Sequence, residues 1–268
     1  MTHRWRVPNT NAPAGDAGAN GDFTETRLSL EENAHRSNPV GRTGITPLPE
    51  PAAGVRLWWC DLAPTPGLLA EYTGTLSPSE RARAARFGTA RLRDRYVMGR
   101  GSLRELLGSL LAARPATVPI VRGLRGRPQL ADAGALDFNV SHTADVALIG
   151  ITEAGRIGVD VESGDRAINA PGIARKFLTH AERDELATLD TDGQRRRVLT
   201  LWTCKEAMSK ATGDALSAPF GRIDVDVSTG RALRGGAGAY VPDRWALHAA
   251  HVPSDYIASV AIWHSPRA

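Results

Sequence analysis

Cysteine is scarce in this chain: Cys60 and Cys204 are the only two. Two cysteines cannot build a disulfide framework, and no paired-cysteine spacing of a zinc site occurs, so a reducing compartment is expected. Long apolar runs are missing too, which argues against a bilayer-spanning helix. The opening segment Met1-Thr2-His3-Arg4-Trp5 lacks the apolar stretch of a secretory signal. Together these absences predict a cytoplasmic protein with no membrane partner. A large excess of one charge is also absent. Lys plus Arg number 33 and Asp plus Glu 29, a net charge of +4 over 268 residues. That modest balance suits anionic partners, whether a phosphorylated small molecule, an acidic protein or nucleic acid, without choosing among them. The basic residues form no stripe with interleaved aromatics and match no nucleic-acid-binding motif, so nucleic acid is not an expected partner.

What is present suffices for a folded body. The hydrophobic fraction is 42%, ordinary for a protein with a core, and the length allows one large domain or two lobes. Residues 1–54 are rich in Gly, Ala, Pro, Asn and Thr without periodicity. They are expected to form a disordered or loosely attached extension, or one that wraps the body.

From Gly54 onward the pattern sharpens. Val55 to Cys60 reads as a strand. Ser77-Pro78-Ser79-Glu80 supplies an N-cap serine, a proline at the first helical position and a glutamate at the third, so a helix starts there and carries Arg81, Arg83, Arg86 and Phe87. A second helix is expected from Leu92 to Leu111. Alternation over Phe138–Val140 and an apolar run over Val146–Ile151 predict strands. A turn at Glu153-Ala154-Gly155 leads to renewed alternation over Arg156–Glu162, a β-hairpin pattern. Thr179 and Glu182 form a second capping box, a helix is expected from about Arg196 to Thr212 with Gly213 ending it, and strands return over Ile223–Val227, Trp245–His251 and Tyr256–Trp263. This order predicts an α+β fold of two lobes, residues 55–155 and 156–264.

Three segments carry candidate chemistry. In Ile157-Gly158-Val159-Asp160-Val161-Glu162, alternation puts Asp160 and Glu162 on one strand face, with Cα atoms about 7 Å apart. Two hard oxygen donors on one face suit Mg²⁺; the bland alternative is a solvated edge strand. In Trp202-Thr203-Cys204-Lys205-Glu206-Ala207-Met208-Ser209-Lys210, helical spacing lines up Trp202, Glu206 and Lys210. Glu206 can complete a metal site or act as a base, and Lys210 can hold a phosphate; the alternative is a surface ion pair. In Asn139-Val140-Ser141-His142, Asn139 and Ser141 face away from Phe138 and Val140. His142 ends the strand within reach of a ligand, or is simply a surface histidine.

Taken in order, Phe138-Asn139-Val140-Ser141-His142, Ile157 to Glu162, Phe177-Leu178 and Trp202 to Ala207 resemble the 4′-phosphopantetheinyl transferases of the surfactin-synthetase-activating (Sfp-like) type. Gly126-Arg127-Pro128 and the stretch from Leu76 to Phe87 add to the resemblance, which covers about residues 55–264. It implies a monomeric pseudo-dimer of two similar α+β lobes with the site in the cleft between them. It implies transfer of the phosphopantetheine arm of coenzyme A to a serine of an apo acyl- or peptidyl-carrier protein, with release of adenosine 3′,5′-bisphosphate. Fatty-acid, polyketide and nonribosomal-peptide carriers all fit, and the subtype favours secondary metabolism.

By position, the resemblance assigns Asp160, Glu162 and Glu206 to Mg²⁺, and Lys210 to the phosphate under attack. It assigns Ser141 and His142 to the nucleotide end of coenzyme A, and Arg83, Arg95 and Arg127 to further positive charge around it. Glu206 and Lys210 are the expected catalytic pair. Glu80 is explained by its capping box and is left out of the site. Arg195-Arg196-Arg197, expected just before the Glu/Lys helix, is either a solvated helix start or a docking patch for an acidic carrier. The rival functions are an inactive carrier-binding module and a different Mg²⁺-dependent phosphotransferase.

Overall fold

A computed structural model describes residues 44–123, 125–132, 134–228 and 231–264. Most of the expected N-terminal extension lies outside the described residues. Its last part does not behave as expected: Ile45–Leu48 forms strand β1, which pairs antiparallel with β2 (Val55–Asp61). Four residues containing Pro47 give too short a pattern to read in sequence, and an edge strand tolerates the proline. The folded body therefore begins before Gly54, with Ile45 buried in the core.

Helices α1 (Pro66–Thr75), α2 (Pro78–Ala84) and α3 (Ala90–Leu110) follow. Both arms of the Ser77–Glu80 capping box are made, and α2 ends at Ala84, short of Arg86 and Phe87. Helix α1 carries no clear apolar stripe, which is why it escaped the sequence pattern. A small ribbon, β3 (Ile120–Arg122) with β4 (Pro128–Leu130), precedes a hairpin of β5 (Asp137–Thr143) and β6 (Val146–Thr152), whereas the turn at 153–155 passes the chain to the other sheet and makes no hairpin. Strand β7 (Arg156–Ser163) leads to helices α4 (Ala170–Phe177), α5 (His180–Leu186) and α6 (Thr191–Thr212). Strands β8 (Asp224–Asp226), β9 (Ala232–Gly235), β10 (Trp245–Ala249) and β11 (Tyr256–Trp263) complete the described chain. The fold is α+β, as expected. No helix among the described residues is long and apolar enough to cross a membrane.

Two sheets organise the molecule, one in the order β1-β2-β6-β5 and the other β10-β11-β7. Val55, Leu57 and Leu148 from the first share a buried cluster with Ile157, Val159, Val161, Val260 and Ile262 from the second. The odd-numbered face of β7 is thus core. Its even-numbered face carries Gly158, Asp160 and Glu162, and α6 covers it. At Gly158 the contact is backbone to backbone: a Cβ there would lie 1.8 Å from the Ala207 carbonyl oxygen, where ordinary contact starts at 3.4 Å. The absence of a side chain at Gly158 is what lets α6 lie close enough to present its own side chains to Asp160.

A Gly158→Ala substitution is therefore expected to push α6 off β7. Overpacking against rigid backbone costs about 1–3 kcal/mol or more. A helix displaced by ~1 Å can cost about 10²-fold in turnover. Thermal melting and steady-state kinetics read both effects, and a variant with wild-type values on each would refute the close-approach account.

Edges β5 and β7 meet along a seam without a backbone ladder. The N–H groups of Ile157, Val159 and Val161 donate instead to Asp137 Oδ2 (2.8 Å), Asn139 Oδ1 (3.0 Å) and Ser141 Oγ (3.3 Å). The constant offset of 20 residues between partners means that the two strands run parallel.

Candidate active site

The seam, the even face of β7 and helix α6 converge on Asp160. This carboxylate is only 5% exposed, so the solvated-edge alternative does not hold for it. Its Oδ1 accepts from Lys210 Nζ (2.6 Å) and Ser141 Oγ (2.9 Å). Its Oδ2 is buried with no hydrogen-bond partner. Lys210 Nζ also donates to Ser141 Oγ (2.9 Å) and the Val159 carbonyl (3.2 Å). Glu162 is buried as well and is paired with Arg166.

Glu206 lies one helical turn before Lys210, half-buried. Desolvation raises its pKa above the usual carboxylate range, and the negative charges of Asp160 and Glu162 add to the rise against the opposing pull of Lys210. Desolvation also raises Glu162, with Arg166 opposing and Asp160 reinforcing. The structure thus brings Asp160, Glu162, Glu206 and Lys210 into one electrostatic neighbourhood.

Whether this donor set suits a divalent cation follows from its chemistry. Among the described residues no three His, Cys, Asp or Glu side chains already converge as a metal cluster. Lys210 pairs with Asp160 and Arg166 with Glu162. The orphaned Asp160 oxygen and the carboxylates of Glu162 and Glu206 are hard oxygen donors. Mg²⁺ takes such carboxylates singly or in pairs and completes its shell with water and substrate phosphate. The residues fit the ion.

Beside this cluster lies a cavity of about 460 Å³ bounded by α2–α3, β5 and β6. Among the described residues, Arg83, Arg95, Arg100, Arg122 and His142 line it, and no carboxylate does. Its floor is apolar, including Phe87, Tyr96 and Phe138. Such a wall suits a flat heteroaromatic ring bearing phosphates. The Arg83 guanidinium lies over the Tyr96 ring at 5.7 Å. Arg95 pairs with Asp145 at 2.7 Å, and that carboxylate also holds Arg91 at 2.8 Å. His142 stands at the accessible mouth, yet enough protein surrounds it that desolvation lowers its pKa, with Lys210 and Arg95 adding to the effect.

Two residues expected at the nucleotide do not line this cavity. Ser141 is buried in the seam, where its hydroxyl bonds to Val161, Lys210 and Asp160 and not to the cavity. Arg127 is absent from the cavity wall and is buried, with its donors engaged by protein acceptors. In both cases the nearest acceptor is a long-range neighbour that strand alternation does not reveal. Arg100 and Arg122 were not read from the sequence as site residues. Arg100 follows Tyr96 by one helical turn and faces the same side, a spacing that could have flagged it. Nothing local marks Arg122.

The basic run also changes place. Helix α6 starts at Thr191, capped by Asp190, so the three arginines lie within its first turns. Arg195 donates to the Gly164 carbonyl and Arg197 lies 3.5 Å from Glu185. Arg196 is exposed, while Arg195 and Arg197 are half-buried against these partners.

Comparison with known proteins points to one family. The model of the 4′-phosphopantetheinyl transferase superfamily matches residues 156–261. A second model, the 4′-phosphopantetheinyl transferase N-terminal family, matches residues 61–153. Among relatives, the 4′-phosphopantetheinyl transferase HetI of Nostoc sp. is 36% identical over 166 residues, covering 61% of this chain and 70% of the relative. The putative 4′-phosphopantetheinyl transferase slr0495 of Synechocystis sp. is 31% identical over 182 residues, 67% of this chain and 71% of the relative. The 4′-phosphopantetheinyl transferase Sfp of Bacillus subtilis is 25% identical over 154 residues, 58% of this chain and 67% of the relative.

Proposed function

The chain belongs to the 4′-phosphopantetheinyl transferase family, and from that premise we propose how its site performs the transfer. The enzyme moves the 4′-phosphopantetheine arm of coenzyme A to a serine hydroxyl of a carrier protein, making the holo form. The serine oxygen bonds to the phosphorus that bears the pantetheine. The bond from that phosphorus to the bridging oxygen breaks, and adenosine 3′,5′-bisphosphate leaves with that oxygen.

In our reading, the arginine-lined cavity takes the nucleotide end of coenzyme A. Arg83, Arg95, Arg100 and Arg122 offer charge to its phosphates, and His142 at the mouth meets the 3′-phosphate. Asp160, Glu162 and Glu206 would hold Mg²⁺, which when bound neutralises charge on the pyrophosphate oxygens. Lys210, beside Asp160, contacts the phosphate under attack. Glu206 accepts the serine proton on a carboxylate oxygen, directly or through one water. A glutamate made more basic by burial is suited to that task. The observation that carries the proposal is the buried Asp160–Lys210–Ser141 cluster beside raised Glu206, adjoining a basic cavity with no acid among the described residues of its wall.

We also propose the surfactin-synthetase-activating subtype, acting as a cytoplasmic monomer whose two lobes, 45–155 and 156–264, form a pseudo-dimer around the site. Two sheets sharing one buried cluster support this arrangement. Mass spectrometry of an apo-carrier protein incubated with coenzyme A and Mg²⁺ tests the function. A gain of one phosphopantetheine supports it; no gain with fatty-acid, polyketide and peptide carriers alike would sink it.

The lowered pKa of His142 makes a separate prediction. A phosphate beside the ring favours imidazolium, so binding takes up a proton and tightens as pH falls from neutrality toward the ordinary histidine value. His142→Gln should weaken coenzyme A binding on the order of tenfold, the scale of one charge-assisted hydrogen bond, and remove the proton uptake. Calorimetry in buffers of different ionisation enthalpy measures the uptake, with 3′-dephospho-coenzyme A as the control. Equal uptake for the two ligands would place the 3′-phosphate away from His142.

A further inference from the structure

The seam between β5 and β7 is closed at one end by Arg127, just ahead of β4. Its two terminal nitrogens bind both carboxylate oxygens of Asp137 at 2.8 and 2.7 Å. Nη2 also donates to the Phe138 carbonyl (3.0 Å) and the Ile157 carbonyl (2.7 Å). Nε donates to the carbonyl of Lys210 (2.9 Å). Asp137 completes the knot by accepting from the Ile157 N–H. One side chain, 8% exposed, thereby ties the first rung of the seam to the last turn of α6.

The bond to Lys210 has a specific physical role. The last carbonyls of a helix have no intrahelical N–H to accept from, and a cation there also opposes the helix dipole. Helix α6 ends at Thr212, and Gly213, in a left-handed conformation, satisfies the Ser209 carbonyl. Lys210 is satisfied from outside the helix, by Arg127. The same guanidinium thus holds the strand that carries Ser141 and His142, the strand that carries Asp160 and Glu162, and the helix that carries Glu206 and Lys210. Each nitrogen of the guanidinium already donates to a protein acceptor, leaving none for a phosphate.

We propose that Arg127, paired with Asp137, is a positioning residue that sets helix α6 against strands β5 and β7, and that it does not bind coenzyme A. The proposal rests on the transfer reaction described above. A planar fork serving several acceptors is not replaced by the point charge of lysine, whereas a phosphate contact would largely tolerate lysine. The partner separates the two roles further. Neutralising Asp137 would free a phosphate-binding arginine and tighten coenzyme A, but would loosen a positioning one.

The test uses the full chain with Arg127→Lys, Asp137→Asn and the double variant. Transfer is measured at saturating carrier protein and Mg²⁺, coenzyme A affinity by calorimetry, and the folded fraction by thermal melting, with rates expressed per folded molecule. Each single substitution is expected to lower kcat by about 10- to 100-fold, the range seen when an outer-shell partner is lost. Coenzyme A affinity should be unchanged, and the double variant no worse than the worse single one. Weaker coenzyme A binding in Arg127→Lys with kcat retained, or tighter binding in Asp137→Asn, would overturn the proposal in favour of a ligand role. Wild-type kcat per folded molecule with only a lower melting temperature would overturn it in favour of plain scaffolding. Should one variant not fold, the other alone reads the same split between kcat and affinity. Wild-type protein that transfers nothing would instead refute the function itself, which keeps the two failures apart.

Discussion

Glu206→Gln is expected to lower phosphopantetheine transfer by at least about 10²–10⁴-fold, the usual contribution of a positioned general base, while coenzyme A still binds. Glutamine keeps the size and the half-buried place of the side chain on α6 but cannot accept a proton or bring a full negative charge to a cation. The pKa of Glu206 is raised chiefly by desolvation and then by Asp160, so removing its charge also lightens the repulsion on that carboxylate. The folded state should therefore be no less stable than wild type, and the loss should appear in turnover alone. Single-turnover transfer, coenzyme A calorimetry and thermal melting together check this. Near-wild-type turnover would remove Glu206 from the catalytic pair. Lost coenzyme A binding would mean that its main task is on the ligand side.

The second large effect concerns stability. Lys205 stands next to Glu206 in the chain but points away from the Asp160 cluster, wholly buried with Glu182. Its ammonium donates to Glu182 Oε2 (2.6 Å) and to the carbonyls of Phe177 (3.0 Å) and Phe220 (2.8 Å). Burial lowers the Lys205 pKa, and Glu182 counters the fall. Glu182 is also the reciprocal member of the Thr179 capping box and accepts from the Val225 N–H (2.9 Å). Lys205→Met leaves this buried carboxylate without its countercharge and removes one donor from it and from each of the two carbonyls. Breaking one side of a buried pair costs about 3–5 kcal/mol. At about 2–4 °C per kcal/mol for a chain of this size, the melting temperature should drop by roughly 6–20 °C. Adding Glu182→Gln should recover part of the loss, because an uncharged partner no longer needs the ammonium. A drop of under about 1 kcal/mol, the ceiling for an exposed pair, would show that the pair contributes little.

Both predictions start from adjacent residues of one helical motif, and they show how far local pattern reaches. Strand alternation alone put Asp160 and Glu162 on one face. Helical spacing alone put Glu206 and Lys210 on one face. The two capping boxes followed from Ser77–Glu80 and Thr179–Glu182, and both are made. These features are local: each depends on dihedral angles repeated over a few residues, which side-chain chemistry largely dictates. The family resemblance then added what spacing could not, by relating segments that lie far apart in the chain.

Tertiary structure decided what lies across each face. The Lys210–Asp160 contact joins residues 50 apart, and Arg127 reaches Lys210 across 83. No periodicity carries that information, because a face has a direction but not a neighbour until the elements pack. Arg127 and Ser141 became parts of the seam, Arg100 and Arg122 joined the cavity, and Lys205 turned into the core. Strand β1 formed only because β2 offered it an edge. The acidic face itself was legible in the sequence. Its burial under α6 was not, since it depends on how closely two backbones approach at Gly158, where a single missing Cβ makes the room.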